Sequence, residues 1–369
     1  MSIYVHQRPG WPAFEWDARA VAGALADVRH RQGLLLGRMG QLGFDLQTEA
    51  GLSVLTREVV TSSAIEGEML NPEEVRSSIA RRLGLDAAGL PNAGHDVEGI
   101  VEMMLDATRD FLAPLTDERL FAWHSALFPT GRSGMHRITV GAWRTGTSGP
   151  MQVVSGAIGK GKVHFEAPEA SRLPSEMQRF LAWFDQPAAT DPVLKAAVAY
   201  LWFVTIHPFE DGNGRIARAI ADMALARADN TQERFYSMSA QIEVERKSYY
   251  QELESAQKGD VEITPWILWF LECLGRAIDR ADDILAAVLH KARVWRRISG
   301  HPINDRQRVV VNRLLGGFVG NLTSSKYAKL AKCSPDTALR DIQVLADLGV
   351  LVRNPGGGRS TSYRLTDEV

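Results

Sequence analysis

Apolar residues recur at close to 3.6-residue spacing from about residue 17 to about residue 290, and that period predicts a chain built mainly of α-helices. Val21, Leu25, Val28, Leu35 and Met39 mark the first, over 17–39. A second is predicted over 48–66, where Gly67 offers the left-handed residue that stops a helix. The next start is signalled by Asn71 as N-cap, Pro72 at the first helical position, and Glu73 and Glu74 in the first turn. The same period predicts helices over 95–112, 116–127, 175–184, 192–206, 215–228 and 247–257, and one long helix over 265–291.

Between residues 137 and 165 the helical period gives way. Residues 138–148 are rich in Gly and Thr and 152–154 are β-prone, which predicts a small β-hairpin flap. The C-terminal end changes again. Helices are predicted over 305–315 and 324–331, and a third opens at Ser334 and Pro335 and stops at Gly349. Strands over 350–354 and 360–365 follow, joined by Pro355-Gly356-Gly357-Gly358. Three helices and a two-stranded wing are the order of a winged helix-turn-helix. Ser299-Gly300-His301-Pro302 interrupts the helical pattern and marks a boundary. The expected division is an N-terminal helical region (1–94), a helical core (95–298) and a winged helix (299–369).

Composition narrows the classes. Hydrophobic content of 45% and charged content of 23% are those of a globular chain and exclude a disordered or fibrous one. Apolar runs such as 196–206 fall short of the roughly 18 residues of a membrane span. The first residues lack the basic-then-apolar order of a signal peptide, so a cytoplasmic protein with no membrane partner is expected. Cys273 and Cys333 stand alone, which excludes a disulfide framework and a zinc finger. The net charge of −2 conceals a contrast: residues 301–369 hold ten Lys/Arg against six Asp/Glu, a local +4, and leave −6 on the rest. DNA binding through 301–369 therefore stays open. The predicted recognition helix brings Arg340 against Asp336 and Asp341, so a protein-docking or dimer module is the competing reading.

The chemistry concentrates at His207-Pro208-Phe209-Glu210-Asp211-Gly212-Asn213-Gly214-Arg215-Ile216-Ala217-Arg218. Pro208 ends the preceding helix, because it disfavours helical geometry in His207. Gly212 and Gly214 permit left-handed backbone, and the next helix opens at once, so N–H groups and the positive end of a helix dipole converge on one spot. Arg215 and Arg218, three apart, flank that spot and complete a polyphosphate cradle. Asp211 supplies one hard oxygen ligand suited to Mg²⁺ that bridges phosphates. His207 is the side chain there able to take a proton near neutral pH. Read singly, the same residues also fit a plain tight loop. Nearby, 156–163 approaches a P-loop, but Val163 lacks the hydroxyl that would bind Mg²⁺ and no helix follows.

Taken as one run, residues 207–218 resemble the HPF-x-(D/E)-GNGR-x-x-R signature of the Fic family, whose members mostly transfer AMP from ATP to protein hydroxyls. The likeness extends from about residue 96 to 257 and includes Gly141-Ala142-Trp143-Arg144 and the flap. It implies a Fic-type helical bundle, with ATP as substrate and Mg²⁺ held by Asp211. His207 is implied as the base that deprotonates a Tyr, Thr or Ser hydroxyl of a target protein or of the chain itself. Gly212, Asn213, Gly214, Ile216 and Ala217 are implied in the nucleotide-binding segment, and Arg215 and Arg218 at the β- and γ-phosphates. Lys247-Ser248-Tyr249-Tyr250 resembles the family's element near the adenine, although a buried tyrosine pair is as natural a reading of Tyr249 and Tyr250. Val154, Ser155 and Gly156 lie on the flap edge that resembles the family's target-docking strand. A homodimer is expected with this resemblance.

A second feature lies far upstream. In Ser62-Ser63-Ala64-Ile65-Glu66-Gly67, Ser62 and Glu66 share one helix face. An acid in a last helical turn faces the negative end of the dipole, a misfit met either by full exposure or by a cation from elsewhere. The segment resembles the family's inhibitory (S/T)-x-x-x-E-(G/N) motif, which implies that Glu66 pairs with Arg218 and keeps the γ-phosphate of ATP from its productive position. Ser62, Glu66 and Gly67 are thus the expected regulatory residues. Two alternatives accompany this reading: a transcriptional regulator with a Fic-like sensor core, or the same site removing AMP or transferring UMP or phosphocholine.

Overall fold

Asp17 opens the first helix by accepting the N–H groups of Arg19 and Ala20 on its carboxylate, and α1 (Ala18–Gly40) follows. The computed structural model describes residues 4–366 except 86, 88–89, 147–148, 156–160, 188–189, 316–317, 319 and 356–360. Next come α2 (Phe44–Ile65) and α3 (Pro72–Arg82), the latter capped by Asn71 on the Glu73 N–H. α4 (His95–Arg109) and α5 (Asp117–Leu127) lead to two short antiparallel pairs. β1 (Arg132–Ser133) pairs with β2 (His136–Arg137), and β3 (Gln152–Ser155) pairs with β4 (Lys162–Glu166) across a bulge at Val153/Val154. The second pair is the expected flap. α6 (Leu173–Asp185) follows, then α7 (Pro192–Ile206) and α8 (Asn213–Asp229).

α7 and α8 form the centre. In α7 every residue from Val193 to Ile206 except Lys195 is buried, the mark of a helix that is apolar all round. α8 packs along it and is buried at Asn213 and from Arg215 to Ala226. α9 (Met238–Val244), α10 (Arg246–Lys258) and α11 (Thr264–Asp279) close this unit around them, with α2 against α9 and α1 against α11. The chain is mainly α, as its periodicity predicts.

The chain divides into two compact units at Asp282/Asp283. The C-terminal unit takes up most of α12 (Ala281–Ile298), then α13 (Asp305–Leu315), β5 (Leu322–Thr323), α14 (Ser324–Leu330), α15 (Pro335–Asp347), β6 (Leu351–Arg353) and β7 (Ser362–Leu365). Its strands run in the order β5-β7-β6, all antiparallel. Val294, Ile298, Val310, Leu322, Tyr327, Ile342, Leu345 and Leu351 form its core.

The structure corrects some expectations. The helix predicted over 265–291 is two, broken after Asp279. The apolar period misses the break because Arg280 stays in the helical region (φ −72°, ψ −11°). The division between units falls before residue 299 because Val294 and Ile298 belong to the C-terminal core. Residues 1–94 lie within the same compact unit as the central helices. α9 and the strands β1, β2 and β5 had no sequence signal of their own. Among the described residues no helix is long and apolar enough to cross a membrane.

Candidate active site

α7 ends at His207, which takes a left-handed conformation (φ 52°, ψ 59°) unusual for a residue with a side chain. The buried Arg144 holds it there: its Nε donates to His207 O at 2.8 Å, its N–H donates to Pro208 O at 2.9 Å, and Nη2 donates to Pro168 O. Downstream, Asn213 forks onto Phe209, accepting from its N–H and donating to its carbonyl, both at 2.9 Å. His124 stacks on the Phe209 ring with 4.2 Å between centroids. Its Nδ1 accepts the Gly141 N–H, so Nε2 carries the proton and donates to Asp211 O, both at 3.2 Å. The loop between α7 and α8 is thus fixed from three sides.

Within that loop the groups differ in readiness. The Nδ1 of His207 lies 3.3 Å from Val204 O; a carbonyl only accepts, so Nδ1 carries the proton and Nε2 keeps its lone pair. Burial, reinforced by the Arg144 cation, pushes the imidazole down to about 4, and the ring is neutral at pH 7. The Asp211 carboxylate accepts the Gly212 N–H on one oxygen and the Ser133 hydroxyl on the other. Gly212 is left-handed (φ +82°), and a Cβ there would stand 2.9 Å from the Phe128 ring.

At the start of α8 two guanidiniums stand side by side, each facing an acid. Arg218, 2% exposed, donates through Nε to Ser62 Oγ and through Nη2 to Ser62 O and Glu66 Oε1, all at 2.8 Å. Burial alone would lower its pKa; Glu66, with the Tyr200 and Tyr249 hydroxyls, reverses the direction and keeps the cation. Arg215 donates through Nη1 to Glu68 and lies over the Phe128 ring, 5.1 Å from its centroid. Arg215 Nε and Arg218 Nη1 are buried donors without an acceptor among the described residues. Buried donors beside a helix N-terminus suit an anion with several oxygens. Gly214 has a neighbouring role: a Cβ there would run into the Glu66 carboxylate.

The other expected residues divide. Ile216 N–H is already bonded to Gly212 O, and the side chains of Ile216 and Ala217 are fully buried, so both pack. The N–H groups of Gly214 and Arg215 precede that bond and face the loop end of α8. Tyr249 is a core residue, 2% exposed, its hydroxyl 2.7 Å from that of Tyr200. Of the two readings of the tyrosine pair, burial holds for Tyr249, while Tyr250 is 42% exposed and donates to Ile65 O at 3.3 Å. Val154 and Ser155 are exposed on the flap; Gly156 lies outside the described residues. Behind the flap, His164 Nδ1 sits 2.7 Å from Glu254 on α10, which also carries both tyrosines. Sequence reasoning passed over Glu68, Ser133 and His124. The acid two positions after Glu66 was a signal for the first; the other two had none.

Comparison with known proteins bears on this arrangement. Residues 114–225 match the Fic/DOC family, and residues 4–85 match a domain of unknown function, DUF4172. A protein named protein adenylyltransferase Fic from Culex quinquefasciatus is 26% identical over 239 residues, 63% of this chain and 43% of that protein. One of the same name from Drosophila mojavensis is 34% identical over 114 residues, 30% of this chain and 21% of that one. The match therefore spans less than half the length of these relatives. The crystal structure of a Fic family protein from Desulfovibrio desulfuricans G20 shares the fold, with a TM-score of 0.52 over 95% of this chain and 97% of that one at 22% identity. The loop, its guanidiniums and His207 all fall within the segment 114–225 that matches the Fic/DOC family.

Proposed function

We propose that this chain transfers AMP from ATP to a hydroxyl side chain of a protein, a target or itself, and that Glu66 holds it in an inhibited resting state. The observation that carries the reading is the neutral His207 beside two buried guanidiniums that each keep an unsatisfied donor. His207 Nε2 takes the proton of the acceptor hydroxyl as its oxygen attacks the α-phosphorus of ATP. The bond from that phosphorus to the bridging oxygen breaks, and pyrophosphate leaves. Arg215, Arg218 and the N–H groups at the start of α8 hold the outer phosphates and take up the charge that develops on them. Arg144, His124 and Asn213 keep the loop in register, so that positioning supplies much of the rate.

Asp211 fits a Mg²⁺ that travels with the nucleotide. Among the described residues no three His, Cys, Asp or Glu side chains converge, so one carboxylate, with phosphate oxygens and water, would hold the ion. Bound there, the ion would neutralise phosphate charge. Residues 1–94 supply the inhibitory turn in this reading and the helices α7 and α8 the chemistry, and the C-terminal unit is read as a winged helix.

The resting state follows from the ion pair. While Glu66 occupies Arg218, a γ-phosphate meets a carboxylate instead of a cation. Wild type, Glu66→Gly and His207→Ala, each incubated with Mg-ATP and cell lysate, separate the parts of the proposal by mass spectrometry of intact proteins and peptides. Glu66→Gly should raise the yield of AMP-modified protein about tenfold or more, and His207→Ala should abolish it. No AMP adduct with Glu66→Gly would remove the enzyme reading; an adduct no greater than wild type would remove the inhibition.

A further inference from the structure

Glu66 and Glu68 stand two residues apart, and on a continuing helix their side chains would diverge by about 200°. The chain does not continue as a helix. Gly67 is left-handed (φ +87°), its N–H donates to Ala64 O, and the Glu68 N–H donates to Ser63 O, both at 3.0 Å. This pair of bonds is a Schellman turn, which reverses the backbone and brings the following residue back to the side from which the helix end faces α8. Glu66 there pairs with Arg218 and Glu68 with Arg215. Arg215 is the more enclosed partner, its side chain 8% exposed against 41% for Glu68, and the Phe128 ring braces it from behind. One three-residue turn thus covers both guanidiniums of α8.

We infer that Glu68 is a second inhibitory carboxylate, which occupies Arg215 as Glu66 occupies Arg218, so that losing Glu66 alone relieves inhibition only in part. The inference rests on the reading in which those two arginines hold the outer phosphates of ATP. A phosphate oxygen at Arg215 Nη1 competes with Glu68, and that competition persists in a chain without Glu66. A partly exposed pair gives a modest effect, about threefold to fivefold in nucleotide affinity. AMP lacks the outer phosphates and should barely register the change.

Four full-length proteins test this: wild type, Glu66→Gly, Glu68→Gln and the double variant. Glutamine keeps the size of the half-exposed side chain and removes its charge. Each is titrated calorimetrically with Mg-ATP and with AMP, and its AMP-transfer yield is read by mass spectrometry. Glu68→Gln should tighten Mg-ATP about threefold or more on both backgrounds and leave AMP within about twofold, with the double variant giving the highest transfer yield. If Glu66→Gly binds ATP and forms adduct while Glu68→Gln changes neither, Glu68 is no inhibitor and the function stands. Equal tightening of AMP and ATP would also overturn the role, since Glu68 would then act away from the outer phosphates. If no variant binds ATP or forms adduct, the function and the inference fall together.

Discussion

Two histidines of the site are held neutral by their surroundings, and this sets how the fold responds to acid. His124 and His207 are each pushed down to about 4, in both cases first by burial. In the unfolded chain both return to about 6.5, so between these values the unfolded state binds more protons than the folded one. The sign follows directly: stability is constant from this source above about pH 6.5 and falls as pH drops from there toward 4. Each group contributes up to about 1.4 kcal/mol per pH unit at the steepest. Urea unfolding at pH 7.5, 6 and 5 without Mg²⁺ should show that loss. His124→Gln should lower stability at every pH, since it breaks the bonds to Gly141 and Asp211, yet it should flatten the dependence on pH. An unchanged slope would mean that His124 titrates normally in the fold. At pH 7 the same burial keeps His207 unprotonated, as a base requires.

The α2 terminus shows what a single backbone angle does for a whole element. Ser62 and Glu66 reach Arg218 because they share a face, but Glu68 joins them only through the left-handed Gly67. Gly67→Ala places a Cβ in open space, so its cost is conformational, about 1 kcal/mol. A relaxed alanine turn would carry Glu68 away from Arg215. The expected outcome is a small fall in the urea midpoint together with higher AMP transfer, and a stable, fully inhibited Gly67→Ala would show that the turn does not matter. Gly67 as a stop was legible in the sequence, as were the start of α7 at Pro192 and its end at the His207-Pro208 break. These rest on local chemistry: a cap, a proline, a glycine. The break between α11 and α12 was not legible, because no Pro or Gly marks it and Arg280 remains helical. The strands β1 and β2 are two residues each, too short for any period to register, and β5 exists through β7, a partner about forty residues away in the chain (Leu322 opposite Tyr363). Within the site, the motif itself was legible, whereas the supports from His124 and Ser133 depend on the packing of α5 and β1 against the loop.

At the scale of the molecule, the charge contrast read from the sequence coincides with a separate core. The segment carrying +4 is most of the unit built around Val310, Tyr327, Ile342 and Leu345, while the acidic remainder holds α7 and α8. On α15, Asp341 is turned inward onto Arg306 and Asn304, which pairs one acid of this helix with one cation of α13 and leaves the net charge of the unit unchanged. A unit of this size holds roughly 5–10 kcal/mol of stability. Tyr327 is its largest fully buried side chain, and Tyr327→Ala should remove about 3–5 kcal/mol of that. Hydrogen exchange read by mass spectrometry should then show protection lost in peptides from 305–366 and retained in those from 192–229. The proposed chemistry resides entirely in the second set, so Tyr327→Ala placed on the Glu66→Gly background should leave AMP transfer within about twofold. A loss of protection across α7 and α8 would instead mean that the two cores unfold as one, and the C-terminal unit would then have to be counted as part of what holds His207 and the two guanidiniums in place.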